Sequence, residues 1–271
     1  MKILVTGATG LVGARLLPRL IEDGHECRAL VRRPGSMTAD VTETVAELSD
    51  TGSLAAAVSG IQAIVHLAAA FRTTDTDLIW KTNHEGTINL ISAVQQHAPT
   101  ARLIMASTAH IYDADGARPG REDDPVEPKL AYPASKLAAE NALRTSGLTW
   151  SIQRYGFVYG DGDGHLESLA AHVANAGMHP AQRMSLVHHR DIATATRIAL
   201  TGAWDGRIVN ITDDAPTTLY ELVAIGGGTM APSSQALAHP WRLHMDGGLA
   251  RRLGFRPNVR TIHHAIEQEM L

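Results

Sequence analysis

Residues 2–13 read Lys2-Ile-Leu-Val-Thr-Gly-Ala-Thr-Gly-Leu-Val-Gly13, an apolar run followed directly by three spaced glycines. The pattern predicts a buried strand over residues 2–6 and a helix over residues 11–22, with the glycines in the turn between them. Residues without a Cβ allow a tight turn, a close approach of a pyrophosphate to the backbone, and close helix packing. The N–H groups at the start of the helix can also bind phosphate. An ordinary strand-to-helix turn can carry glycines too, but the flanking elements favour a dinucleotide site formed by Gly7, Thr9, Gly10, Leu11, Val12 and Gly13.

Composition excludes several other classes of protein. The chain has 271 residues, 44% of them apolar, which is enough to bury a large core. A net charge of -4 without basic runs argues against nucleic acid as a partner. Cys27 is the only cysteine, so an internal disulfide or a zinc site with several thiolates is excluded. No stretch of about 18 apolar residues predicts a membrane span, and we expect a cytoplasmic enzyme without membrane association.

Metal binding is not expected either. The adjacent pairs His188-His189 and His263-His264 place their side chains in different directions on a strand or a helix. The stretch 161–164 reads Asp-Gly-Asp-Gly, as in some calcium loops, but it has no glutamate at the twelfth position of such a loop. We interpret this stretch as a turn.

Strands and helices alternate along the first part of the chain. Further strands are predicted over residues 26–31, 62–67, 102–107 and 149–155, and long helices over residues 77–97 and 130–146. This alternation predicts an α/β protein with a Rossmann-type, doubly wound parallel sheet. Residues 1–155 and 186–212 are expected to form the dinucleotide-binding domain. Residues 156–185 and 213–271 are less regular and are expected to pack together as a smaller substrate-binding part.

The end of the second predicted strand indicates which cofactor is bound. A carboxylate at this place would bind the ribose hydroxyls of NAD, whereas arginine accommodates the 2′-phosphate of NADP. Here Val31 is followed by Arg32 and Arg33, so the sequence favours NADP(H), with NAD still possible. Both arginines could instead be solvated surface charges. Glu47 and Leu48 are candidates for contact with the adenine.

Tyr132 and Lys136 lie four residues apart on a predicted helix, so their side chains project from one face. An ammonium beside a phenol should lower the phenol's pKa and make tyrosine a general acid or base. Lys136 can also donate a hydrogen bond to the nicotinamide ribose. Thr108, at the carboxyl end of a predicted strand, offers a hydroxyl to the substrate oxygen. Tyrosine and lysine at this spacing are common by chance, and their position downstream of the glycine turn favours a catalytic site.

Eight motifs in the same order resemble the extended short-chain dehydrogenase/reductase family, the NAD(P)-dependent epimerase/dehydratase group, over nearly the whole chain. They are residues 6–13, 66–69, 83–87, 107–112, 132–140, 154–160, 189–193 and 254–257. The resemblance implies that Thr108 rather than Ser107 carries the catalytic hydroxyl. It allows Asn83 a role in ordering the active site, although helix packing or capping would also explain this residue. It also implies cofactor contacts from Leu67, Ala68, Ala69, Tyr132, Lys136 and Tyr155, and it suggests a homodimer through helices 77–97 and 130–146.

The chain departs from the family pattern at three places. Phe157 stands where sugar-nucleotide epimerases often have an asparagine that holds the substrate diphosphate, and Asp113 replaces a common glycine. The carboxy-terminal part is also short, which leaves less surface for a nucleotide-sized ligand. These departures favour an NADP(H)-dependent oxidoreductase that interconverts a carbonyl and an alcohol on a small or sugar-like substrate. An epimerase or dehydratase of a nucleotide sugar and a non-catalytic dinucleotide-binding protein remain alternatives.

Overall fold

The computed structural model describes residues 1–37, 41–112 and 116–271. Asp113 therefore lies outside the described residues. The strands are β1 Lys2–Thr6, β2 Glu26–Val31, β3 Thr42–Val45, β4 Ala63–His66, β5 Arg102–Thr108, β6 Thr149–Tyr155, β7 Phe157–Tyr159, β8 Arg183–Met184, β9 Leu186–His188, β10 Arg207–Ile211 and β11 Thr217–Thr218. The α-helices are α1 Gly13–Glu22, α2 Thr51–Val58, α3 Thr76–Trp80, α4 Gly86–His97, α5 Ala131–Arg144, α6 Leu169–Asn175, α7 His189–Leu200, α8 Leu219–Ile225, α9 Gly248–Arg252 and α10 Ile262–Glu267.

Seven strands form one parallel sheet in the order β10-β6-β5-β4-β1-β2-β3. Successive side chains of a strand point to opposite faces, and β1 shows this directly. Ile3 and Val5 pack with Leu16 and Leu20 of α1 on one face. Leu4 packs in a second cluster on the other face, with residues of α2, α4 and α5. Helices therefore cover both faces of the sheet, and the predicted doubly wound fold is confirmed.

The sheet includes two strands that the sequence pattern did not identify. β3 is only four residues long, is largely exposed, and alternates threonine with glutamate and valine. It forms because its backbone pairs with β2 in parallel register. β10 pairs with β6 at the other edge, after the irregular segment 156–185. Neither strand has the long apolar run that marks a buried central strand.

The predicted helix over residues 77–97 is not continuous. α3 and α4 are separated by a wider π-helical turn over Lys81–Glu85. Turns of this type insert one residue into a helix and change the direction of the side chains within it. Asn83 lies in this turn and is fully buried.

Residues of the two less regular segments share one buried cluster. It contains Tyr159, Leu166 and Leu169 from the first segment and Leu219, Leu222 and Ile262 from the second. The two segments therefore pack together, and they contain short helices and strands. Within the described part of the chain, we find no helix whose length and apolar character would let it cross a membrane.

Candidate functional site

The three glycines after β1 have the roles that the turn requires. Gly7 has a φ of +69°, and a Cβ at this position would lie 2.7 Å from the Ala68 nitrogen. A Cβ at Gly13 would overlap the Gly7 carbonyl oxygen and the Ala8 backbone. A Cβ at Gly10, in contrast, would meet only the Gly7 oxygen, at 3.2 Å. The first and third glycines are thus required by the protein's own packing, whereas Gly10 leaves an exposed surface that fits a pyrophosphate.

The loop after β4 lies against this turn. Leu67 donates its N–H to the Thr6 carbonyl oxygen at 3.2 Å, and the Ala68 N–H lies 3.3 Å from the Thr6 hydroxyl. Leu67 and Ala68 are half-buried and Ala69 is exposed. Because β1 and β4 are neighbours in a parallel sheet, both loops meet at its carboxyl edge, where open α/β sheets bind ligands.

We expect Gly10→Val to abolish cofactor binding without unfolding the protein. The new side chain would occupy the surface that the pyrophosphate approaches, and the backbone at Gly10 needs no left-handed conformation. Calorimetric titration with NADPH and NADH measures the loss. Gly52→Val, on α2, is the matched control because its Cβ would meet only the Asp50 carboxylate at 3.4 Å. Unchanged cofactor affinity in a folded Gly10→Val protein would contradict this placement.

The residues proposed to contact the adenosine end of the cofactor lie at the same edge of the sheet. Arg32 and Arg33 follow β2 and are exposed, and the structure gives neither an ion pair with any described carboxylate. The Ala46 N–H donates to the Val31 carbonyl oxygen at 3.0 Å, which brings the loop after β3 beside them. Glu47 in that loop is exposed, whereas Leu48 is half-buried and accepts a hydrogen bond from Asn89 at 2.8 Å.

The predicted catalytic residues come together at the end of β5. Tyr132 and Lys136 lie in the first half of α5, and the Tyr132 hydroxyl forms a hydrogen bond with Thr108. Lys136 is only 2% exposed. The neighbouring Ser107 hydroxyl instead donates to the Glu140 carboxylate at 2.5 Å. Thr108 and not Ser107 therefore faces the phenol.

The direction of the Tyr132 pKa differs from the sequence expectation. Burial raises the pKa of the Tyr132 phenol to about 12, although the Thr108 hydrogen bond opposes the rise. Burial lowers the pKa of the Lys136 ammonium to about 8, and the Glu140 carboxylate opposes that change. The expected lowering of the Tyr132 pKa by Lys136 is therefore wrong in this structure, because desolvation of the phenol is the larger effect. Tyr132 is protonated at neutral pH and can act as a proton donor.

Asn83 connects the loop after β4 to α5. Its side-chain oxygen accepts the Ala70 N–H at 2.7 Å, and its amide donates to the Ala70 carbonyl oxygen at 3.1 Å. The same amide donates to the Ser135 hydroxyl at 3.0 Å. Ser135 lies between Tyr132 and Lys136 on α5. The Asn83 side chain thus bridges two segments of the site and does not cap a helix.

A buried histidine extends this hydrogen-bond network. The sequence did not predict that its ring would lie between two threonine hydroxyls. His66, at the end of β4, lies 2.7 Å from the Thr6 hydroxyl and 2.9 Å from the Thr87 hydroxyl. Thr87 donates to the Asn83 carbonyl oxygen at 2.7 Å, so its hydroxyl accepts from the imidazole. Burial, with a smaller effect of the Lys136 charge, lowers the pKa of His66 to about 3. A neutral histidine at the end of β4 therefore links β1, through Thr6, to α4, through Thr87.

A buried ion pair connects α5 to β6. Arg154 on β6 contacts both oxygens of Glu140 on α5, at 2.6 and 3.0 Å. Arg154 also donates to the Tyr112 hydroxyl at 3.0 Å. Both charged side chains are almost completely buried. Bidentate geometry and full hydrogen bonding are the conditions under which such a pair is tolerated in a protein interior.

Four other residues singled out in the sequence have defined contacts. Tyr155 is buried in the core, and its hydroxyl donates to the Gln153 side chain at 2.7 Å. Phe157 stacks on His165 with ring centroids 4.2 Å apart. In the 161–164 turn, Asp161 forms ion pairs with Arg19 and Arg190, and Asp163 accepts a hydrogen bond from His189 at 2.8 Å. These two carboxylates are therefore occupied by protein groups.

The chain matches the NAD dependent epimerase/dehydratase family over residues 3–212. The chain belongs to this family. It is an NAD(P)-dependent enzyme of the extended short-chain dehydrogenase/reductase superfamily, which removes the non-catalytic alternative.

Relatives of the enzyme include reductases and dehydrogenases. It is 30% identical over 279 residues to dTDP-4-dehydrorhamnose reductase from Streptomyces griseus, covering 98% of this chain and 85% of that one. It is 28% identical to 3-beta-hydroxysteroid dehydrogenase from Mycolicibacterium neoaurum, covering 93% of this chain and 79% of that one.

Solved structures show the same fold with NAD bound. A short-chain dehydrogenase/reductase superfamily protein from Agrobacterium tumefaciens with bound NAD superposes with a TM-score of 0.81 at 22% identity, over 99% of this chain and 95% of that one. The dTDP-glucose 4,6-dehydratase from Streptomyces venezuelae, with NAD bound, has a TM-score of 0.80 at 25% identity, over 99% and 98% of the two chains.

Proposed function

We propose that this enzyme is an NADP(H)-dependent oxidoreductase that interconverts a carbonyl and an alcohol on a small or sugar-like substrate. The observation that carries the proposal is the arrangement of the Tyr132 phenol beside Thr108 at the carboxyl edge of the sheet, with the buried Lys136 one turn further along α5. A proton donor of this kind matches the need of a carbonyl oxygen that becomes an alcohol.

Thr108, Tyr132 and Lys136 have different tasks in this reaction. Thr108 donates a hydrogen bond from its hydroxyl to the substrate carbonyl oxygen. This bond holds the oxygen beside Tyr132. Tyr132 then transfers its proton to that oxygen. Lys136 orients the nicotinamide ribose, and its ammonium stabilises the phenolate that the transfer leaves behind. The bound cofactor supplies the hydride that reduces the carbonyl carbon.

The second candidate is an epimerase or dehydratase of a nucleotide sugar. The family match and the dehydratase of similar structure support it. Phe157 argues against it, because a phenyl ring that stacks on His165 offers no amide to a substrate diphosphate. The likeness to a sugar-nucleotide reductase and a steroid dehydrogenase, which covers 98% and 93% of this chain, also favours net oxidoreduction.

A panel of aldehydes and ketones, scored by consumption of NADPH, tests the proposal. Net consumption with at least one carbonyl compound is expected from an oxidoreductase. Conversion of a nucleotide sugar without net change in the reduced nicotinamide would contradict it and support the second candidate.

The preference for NADP(H) rests on Arg32 and Arg33, whose exposed guanidinium groups could both contact a 2′-phosphate. We expect the double replacement by alanine to weaken NADPH binding by about 1.5–3 kcal/mol for each charged hydrogen bond lost. NADH binding should hardly change. Titrations of both cofactors measure this, with Arg207→Ala at the opposite edge of the sheet as the matched control. Equal losses for the two cofactors, or a wild-type preference for NADH, would overturn the assignment.

A further inference from the structure

Two aromatic rings contact the catalytic phenol. The Phe71 ring lies 4.5 Å from the Tyr132 ring between centroids, and the His110 ring lies 6.4 Å from the Tyr132 ring. The centroids of Phe71 and His110 are 6.1 Å apart. These distances fall in the range in which aromatic rings attract one another. Phe71, His110 and Tyr132 therefore form one group of rings, the aromatic wall, beside the hydroxyl proposed to donate the proton.

The aromatic wall is open to solvent. Phe71 is 42% exposed, whereas Phe157 is half-buried and Phe255 is fully buried. His110 is exposed as well, and Tyr132 is half-buried. Apolar surface that is grouped and exposed is typical of ligand-binding sites, because a ligand that covers it removes apolar area from water. A substrate whose carbonyl oxygen lies at Tyr132 is in place to cover these rings.

The position of Phe71 is fixed by the buried Asn83 side chain. Ala70, the residue before Phe71, bonds to this side chain through its N–H at 2.7 Å and through its carbonyl oxygen at 3.1 Å. The Asn83 amide also donates to the Ser135 hydroxyl on α5, the helix that carries Tyr132. One buried amide thus holds the loop of the exposed ring against the helix of the phenol.

The backbone of His110 is fixed at the end of β5. Its N–H donates to the Thr108 hydroxyl oxygen at 3.1 Å, within the short 3₁₀ turn Ala109–Ile111. The Tyr112 N–H closes this turn on the Ala109 carbonyl oxygen at 3.2 Å. Because β4 and β5 are neighbours in the parallel sheet, the loops after them bring one ring each to its carboxyl edge.

The angles between the rings favour an aromatic ligand. The planes of Phe71 and Tyr132 meet at 49°, those of Phe71 and His110 at 53°, and those of His110 and Tyr132 at 78°. A planar ring that lies on one of them is therefore tilted to the others, and aromatic rings favour such edge-to-face contacts. A saturated ring lacks this attraction, and Phe71 has no polar atom to bind the hydroxyl groups of a sugar.

From this arrangement, and resting on the proposed reductase function, we infer that the substrate is an aryl ketone or aldehyde, with an aromatic ring bonded directly to the carbonyl carbon. The carbonyl oxygen lies at Thr108 and Tyr132, and the ring packs against Phe71 and His110. The carbonyl carbon gains a hydride as the reduced nicotinamide is oxidised, and the carbon–oxygen double bond becomes a single bond. The oxygen gains the Tyr132 proton, and solvent then returns a proton to the phenolate.

Two ketones that differ in whether their ring is aromatic or saturated test the inference. They are acetophenone and cyclohexyl methyl ketone, and dTDP-glucose serves as a sugar probe. Binding of each to the enzyme loaded with NADP⁺ is measured by NMR titration, and turnover of the ketones is followed by NADPH consumption. The variants are Phe71→Leu, which keeps an apolar side chain without a ring, and Phe71→Tyr, which keeps the ring. Tyr220→Leu, which removes an exposed ring on α8, is the matched control.

We expect the wild type to bind acetophenone about 3–10-fold more tightly than cyclohexyl methyl ketone. Phe71→Leu should remove this preference and leave binding of the saturated ketone nearly unchanged. Phe71→Tyr and Tyr220→Leu should both preserve the preference. Equal affinity of the wild type for the two ketones, or a preference that survives Phe71→Leu, would overturn the inference. Weaker binding of dTDP-glucose in Phe71→Leu, without an effect on acetophenone, would also overturn it, since the wall would then pack against a sugar.

Failure of this inference and failure of the proposed function give different results. Consumption of NADPH with aliphatic carbonyl compounds, together with an affinity ratio that Phe71→Leu leaves unchanged, would overturn the aromatic subsite and keep the reductase. An aromatic preference that Phe71→Leu removes, with no carbonyl compound reduced, would overturn the reductase and support the aromatic subsite.

Discussion

Replacement of Tyr132 by phenylalanine is expected to lower turnover by about 10²–10⁴-fold, which is the usual contribution of a positioned proton donor. The ring would remain against Phe71, whereas the hydroxyl that bonds to Thr108 would be lost. Cofactor affinity should be nearly unchanged, because the proton donor and the glycine turn are separate parts of the site. Steady-state kinetics and a cofactor titration measure the two quantities.

Tyr220→Phe is the control for this change, since Tyr220 is 51% exposed at the start of α8. That variant should keep wild-type activity. Near-normal turnover in Tyr132→Phe would show that another group supplies the proton, and the assignment of Tyr132 would then be wrong.

Lys136→Met is expected to lower turnover further, because it removes the ammonium that stabilises the phenolate together with a contact to the ribose. Methionine is close in length to lysine and suits a buried position, so circular dichroism should remain native. Lys129→Met, at an exposed site, is the control and should be fully active. Wild-type turnover in Lys136→Met would exclude the proposed role.

The pH profile separates the contributions of Lys136 and Tyr132. The Lys136 pKa is lowered to about 8, so the side chain is charged below this pH and neutral above it. Carbonyl reduction by the wild type should therefore fall as the pH rises through about 8. Tyr132, with a pKa raised to about 12, stays protonated over this range and adds no second decrease. The decrease near pH 8 should persist in Tyr132→Phe and be absent from Lys136→Met; its persistence in Lys136→Met would assign it to another group.

The sequence predicted the parts of the fold that depend on local patterns. The bounds of β1, β2 and β6 are those expected from their apolar residues. β3 was missed because pairing with β2, and not its own short polar sequence, makes it a strand. The π turn at Lys81–Glu85 was missed because the apolar spacing on both sides of it remains helical.

In the candidate site, too, the features that depend on local sequence patterns were predictable and those that depend on tertiary contacts were not. The spacing of Tyr132 and Lys136 and the position of Thr108 after a strand were sufficient to bring these residues together. The bridge from Asn83 to Ala70 and Ser135 joins residues 13 and 52 positions apart, which a linear pattern does not show. The direction of the Tyr132 pKa depends on burial, and burial follows from tertiary packing.

The central claim is net reduction of a carbonyl compound with Tyr132 as the proton donor. A single turnover with NADPH deuterated at the transferable position of the nicotinamide tests it most directly. We predict one deuterium on the carbinol carbon of the product for each NADPH oxidised, in the wild type and in slow turnover by Tyr132→Phe. A product formed from a nucleotide sugar with NAD⁺ or NADP⁺ as the cofactor, which returns to its oxidised state within each turnover, would contradict the claim and indicate an epimerase or a dehydratase.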